Sequence, residues 1–436
     1  MDIYINPARD SWEKLTSRRR SDDSSVDATV SSIIGKVKDN GDKALISLSE
    51  EIDKVRPDSL EVSREEKEEA VRLVPASMKS ALEKAADNIR KFHKAQLPSE
   101  IRVETMPGVK CVSKPVPLDS IGLYIPGGSA PLFSTVLMLA IPAAVAGCRQ
   151  VVLCTPPDRN GKVNPTVLYA AHLCGVGRIF KVGGAQAIAA MAFGTESIPR
   201  VDKIFGPGNR YVTRAKQMLS STVAIDMPAG PSEVMVLADS SARPDFVASD
   251  LLSQAEHGAD SQVMLVCTSE DFAARVREKV SEQLENLPRK DIAAKALEAS
   301  RIIVLGSSDD MTDFANLYAA EHLIISMENP WKAAERITAA GSIFIGNYSP
   351  ESAGDYASGT NHTLPTSGWA RSFSGVNTGS FMRRMTLQEL TREGLDALGG
   401  TIMEMAAGEG LEAHRRAVEI RLSGLSDGQA RQSSGV

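Results

Sequence analysis

The sequence predicts an α/β protein with two incomplete Rossmann-like parallel-sheet domains, an N-terminal arm and a helical C-terminal tail. From Ile121 onward, short apolar strands alternate with helices and are joined to them by Gly-rich turns. Such alternation is typical of a parallel sheet covered by helices on both faces. This alternation of strands and helices ends near Asp226 and begins again at Val234, which indicates a second α/β unit of similar size.

The composition, with 42% hydrophobic and 24% charged residues, is that of an ordinary globular protein. A net charge of -6 provides no basic surface for nucleic acid. The longest apolar run, residues 136–147, is too short to span a bilayer, so no membrane association is expected. The first residues lack the layout of a signal peptide, and the five cysteines include no CxxC pair. We therefore expect a cytoplasmic protein with reduced thiols.

The segment before the alternation is expected to be mainly helical. Residues 1–24 are polar and are expected to form an arm or a short, weakly packed helix. Apolar periodicity over residues 26–50 and 64–97 predicts two helices, and a strand pair is expected around residues 101–115.

Ten buried strands are predicted in the two α/β units, five in each. They cover residues 121–125, 151–154, 179–182, 203–205 and 223–226, and then residues 234–237, 263–266, 302–305, 323–325 and 343–345. Residues 347–380 lack periodicity and are rich in Ser, Gly, Asn and Thr, which indicates a long loop. Two helices, near residues 387–405 and 410–422, and a frayed polar tail are expected after it.

A candidate metal site begins at the end of a predicted helix. Gln254 and His257 are three residues apart, so their side chains leave the same face of the helix. An amide oxygen and an imidazole placed together form half of a metal site. The alternative is a capped helix with a polar last turn, and the short pattern alone favours that alternative.

Other polar residues stand where chemistry is possible, and each has a simpler explanation. Glu321 and His322 precede a strand and suit acid–base catalysis, or else they cap an exposed strand end. Asp355, in the irregular segment, is an oxygen donor that could complete a zinc shell, or else it forms an Asx-turn. Glu409 and His414, near the last helix, are also candidates for a functional role, or else they are solvated residues at the start of that helix.

The Gly-rich turns do not contain a dinucleotide fingerprint. The turn at Gly206, Gly208 and Asn209 departs from GxGxxG at the third glycine, so the sequence does not predict the usual pyrophosphate grip. What remains is a set of helix N-termini that suit anions.

Taken together, these segments resemble the histidinol dehydrogenase family. The resemblance is spread from about residue 105 to 415 and is specific, because the matching stretches are long and ungapped. They are residues 122–131, 182–187, 205–209, 226–234, 253–258, 321–323 and 352–365.

The resemblance implies an enzyme that oxidises L-histidinol to L-histidine through the aldehyde, the last step of histidine biosynthesis, with zinc and two NAD. It implies zinc ligands at Gln254, His257, Asp355 and His414. It implies an acid–base pair of Glu321 and His322. The implied substrate contacts are Ser232, Gln254, His257, His322, Asp355, Glu409 and His414, and the implied NAD contacts are Tyr124, Gln186 and Asn209.

The same resemblance assigns roles to the parts of the chain. We expect an arm at residues 1–24, and residues 25–119 with 233–376 as the α/β domain that carries most metal and catalytic residues. Residues 120–232 would form the Rossmann-like, NAD-contacting domain, and residues 377–436 a helical dimerisation segment. Because that segment belongs to neither α/β unit and its apolar residues need cover, we expect a homodimer with exchanged C-terminal segments.

Two alternatives remain open from the residues alone. A zinc hydrolase with Glu321 as its base would keep the metal without NAD. A non-catalytic scaffold of two Rossmann-like units would treat Gln254, His257, Asp355 and His414 as unrelated surface residues.

Overall fold

The structure is a computed structural model that describes residues 1–18, 24–127, 131–228 and 230–432. The chain divides into two compact units. Unit 1 comprises Met1–Leu97 and Leu118–Phe381, and unit 2 comprises Pro98–Pro117 and Met382–Val436. No helix among the described residues has the length and apolar character needed to cross a membrane.

The strands are β1 (Asp2–Ile5), β2 (Ile101–Met106), β3 (Val109–Pro117), β4 (Ser120–Tyr124), β5 (Gln150–Cys154), β6 (Arg178–Phe180), β7 (Lys203–Phe205), β8 (Ala224–Ile225), β9 (Glu233–Ala238), β10 (Gln262–Cys267), β11 (Arg301–Val304), β12 (His322–Ser326), β13 (Ser342–Ile345) and β14 (Met382–Leu390). The helices are α1 (Trp12–Leu15), α2 (Ser24–Leu48), α3 (Arg64–Leu73), α4 (Ala76–Ala95), α5 (Phe133–Ala146), α6 (Pro165–Leu173), α7 (Gly184–Phe193), α8 (Arg210–Leu219), α9 (Pro244–Ala255), α10 (Glu270–Leu284), α11 (Lys290–Glu298), α12 (Ser308–Tyr318), α13 (Pro330–Ala334), α14 (Glu351–Tyr356), α15 (Arg392–Gly408) and α16 (Glu412–Gln432).

Unit 1 contains two parallel sheets, as the alternation predicted. The first has the order β6-β5-β4-β7-β8, and the second has the order β1-β11-β10-β9-β12-β13. All their pairings are parallel. The central strands β9, β10 and β12 are buried at every residue, which is typical of strands covered by helices on both faces. The ten strands predicted from the two runs of alternation are confirmed within one or two residues at their ends.

The N-terminal segment is packed into the second sheet rather than forming a weakly packed arm. Strand β1 pairs in parallel with β11, from Asp2 opposite Arg301 to Ile5 opposite Val304. Trp12 and Leu15 of α1 are buried, and the Trp12 ring lies edge-on to Phe314 at 5.3 Å between centroids. Residues 19–23 of the expected arm, including Arg19 and Arg20, lie outside the described residues.

Helix α2 also departs from the expected domain grouping. Its buried side chains, such as Val30 and Leu45, share one core with Phe180 and Ile188 of the first sheet's layers. The expected grouping joined residues 25–119 to residues 233–376. Packing therefore assigns α2 to the first sheet, because its apolar face is covered there.

Unit 2 is not wholly helical in its C-terminal part, contrary to the expectation for residues 377–436. Strand β14 pairs antiparallel with β3, which pairs antiparallel with β2 and so confirms the strand pair expected near residues 101–115. Helices α15 and α16 follow, and α16 continues to Gln432 instead of fraying after Leu422. The last four residues of the expected tail lie outside the described residues, as does Gly128 in the expected turn after β4.

Candidate active site

The amino end of β12 carries two titratable residues that contact the start of β9. The Glu233 amide N–H donates to Glu321 Oε2 at 2.8 Å, and His322 Nδ1 lies 3.2 Å from the Glu233 carbonyl oxygen. Because a carbonyl only accepts, Nδ1 is the protonated ring nitrogen and Nε2 carries the lone pair in the neutral ring. His322 Nδ1 also lies 3.6 Å from Glu321 Oε2. The two side chains therefore form one connected pair.

His322 lies against a carboxylate in buried surroundings. His322 Nε2 and Asp355 Oδ1 are 3.4 Å apart. Both atoms are buried, and neither has a hydrogen-bond partner among the described residues. A buried polar atom without a partner is costly, so these two atoms mark the place where a ligand would be bound.

A group of possible metal ligands adjoins this contact. Ligand atoms of His257, Glu351 and Asp355 all lie within 4.8 Å of one another. Gln254, the last but one residue of α9, is fully buried beside Glu351. With its amide nitrogen turned toward that carboxylate, Gln254 donates to the two oxygens of Glu351 at 2.8 and 3.1 Å. The predicted ligands Gln254, His257 and Asp355 thus lie in one cluster.

Asp355 stands on the short helix α14, whereas the sequence analysis placed it in an irregular loop. Glu351, which the sequence analysis missed, is one helical turn before Asp355 and is fully buried. The four-residue spacing places both carboxylates on one helix face. That spacing was the available signal, but it has meaning only once residues 351–356 are known to be helical.

Burial and mutual repulsion shift the titration of the carboxylates. Burial raises the pKa of Glu321, and it raises the pKa of Glu351 well above its ordinary value. Burial by itself would lower the pKa of His322, but the charges of Glu321 and Asp355 raise it well above the ordinary value. Burial also raises the pKa of Asp250, one turn before Gln254, to about 7. A bound cation would lower the cost of ionising these buried carboxyl groups.

Both ring nitrogens of His362 lie within hydrogen-bond distance of oxygens on neighbouring elements. Its Nδ1 lies 2.9 Å from the Asp355 carbonyl oxygen, and its Nε2 lies 3.1 Å from Thr135 Oγ1 on α5. The ring therefore connects α14 to a helix beside the first sheet. Ser232 is half-buried and directly precedes Glu233.

The predicted NAD contacts stand at the carboxyl end of the first sheet. Tyr124 ends β4, and its hydroxyl accepts a hydrogen bond from the Gly184 N–H at 3.0 Å. Burial raises the pKa of Tyr124 to about 12. Asn209 follows β7 and caps α8, where its Oδ1 accepts from the N–H groups of Tyr211 and Val212 at 3.0 and 3.2 Å. Gln186 is buried, and both polar atoms of its amide lack a partner among the described residues.

The order of the strands in the first sheet reverses at this edge. Strands β4, β5 and β6 progress in one direction across the sheet, and β7 and β8 progress in the other. The order therefore reverses between β4 and β7, and ligands of open α/β sheets bind at the carboxyl ends of the strands beside such a reversal.

Glu409 and His414 belong to unit 2. Glu409 follows the last residue of α15, His414 lies in the first turn of α16, and both side chains are exposed. Their participation in the site stays a prediction.

Comparisons with known proteins support the resemblance found in the sequence. The model of the family described as histidinol dehydrogenase matches residues 16–422. The chain is 55% identical over 426 residues to histidinol dehydrogenase of Bacteroides thetaiotaomicron, covering 98% of this chain and 100% of that protein. It is 54% identical over 404 residues to the enzyme of Vibrio parahaemolyticus, covering 92% and 93%. The crystal structure of histidinol dehydrogenase from Elizabethkingia anophelis superposes with a TM-score of 0.96 at 51% identity, covering 98% of this chain and 99% of that chain.

Proposed function

The chain belongs to the histidinol dehydrogenase family of NAD-dependent oxidoreductases, and on that premise we propose that it oxidises L-histidinol to L-histidine in two steps. Alcohol becomes aldehyde, and hydrated aldehyde becomes carboxylate. Each step transfers one hydride to one NAD, so two NAD are reduced for each histidinol. The observation that carries the proposal is the buried contact between His322 Nε2 and Asp355 Oδ1, beside a cluster of N and O ligands.

We assign the zinc ligands to Gln254, His257, Asp355 and His414. The donor types suit zinc, and the unpartnered Asp355 Oδ1 supports a cation at this place. When bound, zinc supplies a Lewis acid for the amine and imidazole nitrogens of histidinol and so holds the substrate in place. Ser232, Glu409 and His414 are the further substrate contacts that we propose.

We assign NAD to the carboxyl end of the first sheet, with contacts from Tyr124, Gln186 and Asn209. The reversal of strand order and the unpartnered Gln186 amide support this assignment. When bound, NAD supplies the hydride acceptor for both oxidations.

The two residues at the start of β12 would divide the proton transfers. In its neutral form His322 accepts the alcohol proton at Nε2, because the Glu233 carbonyl holds the ring proton on Nδ1. Glu321 accepts a proton from the water that hydrates the aldehyde. Its pKa, raised by burial, makes the carboxylate a stronger base than an exposed glutamate.

We also propose a cytoplasmic homodimer in which the C-terminal segment of each subunit completes the partner's site. Met405, Leu411 and Ile420 on or beside α15 and α16 are exposed in the single chain, and exposed apolar residues grouped in this way favour an interface. A segment exchanged across a two-fold axis would cover them and would bring Glu409 and His414 to the substrate.

The test is to incubate the protein with L-histidinol and NAD, with and without a chelator, while NADH absorbance and metal content are recorded. We expect two NADH for each histidinol and loss of turnover in the metal-free protein. A zinc hydrolase would produce no NADH, and a scaffold would hold no stoichiometric metal. Full-rate oxidation by metal-free protein would refute the zinc assignment.

A further inference from the structure

Glu233, the first residue of β9, contacts both members of the acid–base pair through its backbone. Its N–H donates to Glu321 Oε2 at 2.8 Å, and its carbonyl oxygen lies 3.2 Å from His322 Nδ1. The placement of this single residue therefore fixes the direction of the carboxylate and of the imidazole ring. Any group that holds Glu233 in place also holds the pair.

Arg18, from the N-terminal segment, holds the Glu233 side chain. Arg18 Nε donates to Oε1 at 2.5 Å, and Nη2 donates to Oε2 at 2.9 Å. This fork geometry is the strongest and most directional form of a carboxylate ion pair. The Glu233 side chain is only 4% exposed and that of Arg18 is 19% exposed, so solvent screens the pair little.

Arg18 is itself held in one orientation. Its Nη2 also donates to the Tyr318 carbonyl oxygen at 2.8 Å, and its guanidinium carbon lies 4.0 Å from the centroid of the Tyr318 ring. Tyr318 ends α12 and is fully buried. Arg18 therefore connects the start of β9 to a rigid part of the second sheet's core.

The loop on the other side of Glu233 completes the support. The Ser367 N–H donates to Glu233 Oε1 at 3.0 Å, and the neighbouring Thr366 hydroxyl accepts from the Gly230 N–H. The turn that contains the proposed substrate contact Ser232 thus depends on the same contacts as the start of β9.

We propose that Arg18 is a positioning residue for both oxidation steps and that it acts through Glu233 on Glu321 and His322. This proposal rests on the proposed roles of Glu321 and His322. Arg18 reaches no reacting atom. Without its guanidinium, Glu233 is a buried carboxylate that lacks its cation, and the start of β9 moves to hydrate it. A displacement of about 1 Å in catalytic groups costs on the order of 100-fold in rate.

The experiment compares Arg18→Met, Arg18→Lys and the control Arg9→Met in the zinc-loaded enzyme. Arg9 is in the same N-terminal segment, but its side chain is 64% exposed and pairs with Asp310 and Asp313 on the surface. For each variant, kcat and KM are measured with histidinol and with histidinaldehyde, together with zinc content and melting temperature.

We expect Arg18→Met to lower kcat about 10- to 100-fold on both substrates, with zinc content and the KM for NAD unchanged. Arg18→Lys should recover part of the loss, since an ammonium supplies the charge without the fork. Arg9→Met should match the wild type. A purely structural role would lower the melting temperature and the folded fraction, but it would leave kcat per zinc-loaded site unchanged, and that result would overturn the proposal.

Two further outcomes are decisive. If Arg18→Met does not fold, Arg18→Lys decides, and a folded Lys variant with wild-type kcat overturns the proposal. Glu321→Gln and His322→Asn are measured alongside. If they lose turnover while the Arg18 variants keep it, only the inference on Arg18 fails. If they keep full turnover, the proposed acid–base roles fail and the inference fails with them.

Discussion

At the scale of single residues, Glu321 and His322 are neighbours whose surroundings suit the different functions that we propose for them. Both are buried and both contact Glu233, but only His322 faces Asp355. A carboxylate held by a backbone N–H and an imidazole held by a carbonyl keep fixed directions. Fixed directions would allow the proposed site to remove an alcohol proton and later to activate water.

The first prediction separates these functions. Replacing His322 with Asn should slow histidinol oxidation by roughly 100- to 10,000-fold, because the alcohol proton loses its acceptor. Replacing Glu321 with Gln should slow the oxidation of supplied histidinaldehyde more than the first step. Stopped-flow absorbance of NADH with each substrate measures both steps. Normal aldehyde oxidation by Glu321→Gln would disprove its role with water.

The second prediction concerns Asp250 and pH. Burial raises its pKa to about 7 in the folded protein, against about 3.9 in the unfolded chain. Between these two pKa values the folded protein binds the Asp250 proton more tightly than the unfolded chain does. The stability that comes from this tighter proton binding is therefore fully present below about pH 4 and is lost as pH rises through 7. Asp250→Asn should therefore stabilise the metal-free protein at pH 8 by on the order of a few kcal/mol, and should do so less at pH 5.

Urea unfolding of chelator-treated protein at both pH values measures this effect. Asp245→Asn on the same helix is the control, because Asp245 is half exposed, bonded to Arg243, and its pKa is lowered by that arginine. Equal stability of Asp250→Asn and wild type at pH 8 would contradict the prediction.

At the scale of elements, the turn after β7 shows how local backbone geometry shapes the proposed NAD site. Gly206 has φ +127°, and a Cβ at this position would lie 2.1 Å from the Tyr124 carbonyl oxygen. Its N–H donates to Asp226 Oδ2 at 2.8 Å, and its carbonyl oxygen accepts from Lys216 Nζ at 2.9 Å. Lys216 and Asp226 form a buried ion pair, and each of them thus binds one polar backbone group of Gly206.

The third prediction follows from that close approach. Gly206→Ala should weaken NADH binding and lower the free energy of unfolding by about 1–3 kcal/mol, because the backbone must leave its position beside Tyr124. Gly177→Ala, directly before β6, is the control, since nothing lies within 4 Å of its added Cβ. Fluorescence titration with NADH measures affinity. Unchanged affinity in a folded Gly206→Ala variant would remove this turn from the NAD site.

The fourth prediction concerns the ends of α9 and α14, where the proposed metal ligands stand. His257→Ala should lose zinc and turnover and should keep its fold, because His257 is an exposed residue outside the buried cores. Metal analysis after gel filtration and circular dichroism provide the two readouts. His172→Ala, an exposed histidine beside the first sheet, should retain zinc. Stoichiometric zinc in His257→Ala would exclude His257 as a ligand.

At the scale of the whole molecule, the proposed site draws on residues from both units. Gln254, His257, Asp355 and the acid–base pair belong to unit 1, and Glu409 and His414 belong to unit 2. The fifth prediction tests whether the unit 2 residues come from the partner. Mixing inactive His257→Ala with inactive His414→Ala under subunit exchange should restore activity, to roughly a quarter of the wild-type level for random pairing.

The reason is geometric. With exchanged segments, both substitutions fall in one site of the heterodimer and the other site is intact. Without exchange, each site carries one substitution, and the mixture stays inactive. Activity that does not return, although mass spectrometry shows mixed dimers, would reject the exchanged segment.

Much of the fold could be predicted because its signals are local. The ten strands of the two sheets are short apolar runs between Gly-rich turns. Because a strand buried on both faces is apolar at nearly every residue, it can be predicted without knowledge of the strands that pair with it. Gln254 and His257 were expected together at the end of a helix, and the structure places Gln254 in the last turn of α9 and His257 two residues beyond its last residue.

Other elements depend on partners far away in the chain. Strand β1 has only four residues and becomes a strand through pairing with β11, about three hundred residues later. Strand β14 contains exposed, polar residues and was expected to be helical, but its backbone hydrogen bonds are satisfied by β3. Helix α2 shows a clear apolar face, yet nothing in that face specifies which sheet it covers.

The sequence by itself determined the alternating α/β architecture, the family and the residue types available for catalysis, because periodicity and motif spacing are properties of neighbouring residues. Only the tertiary structure decided that Glu351 joins the cluster of possible metal ligands and that Arg18 reaches Glu233. It also decided that the Glu233 backbone contacts both residues of the proposed acid–base pair. Those contacts join residues up to 215 positions apart. Because the contacts are buried, each is strong when both partners are present, and the loss of one partner is costly. Long-range contacts of this kind leave no pattern in a local stretch of sequence.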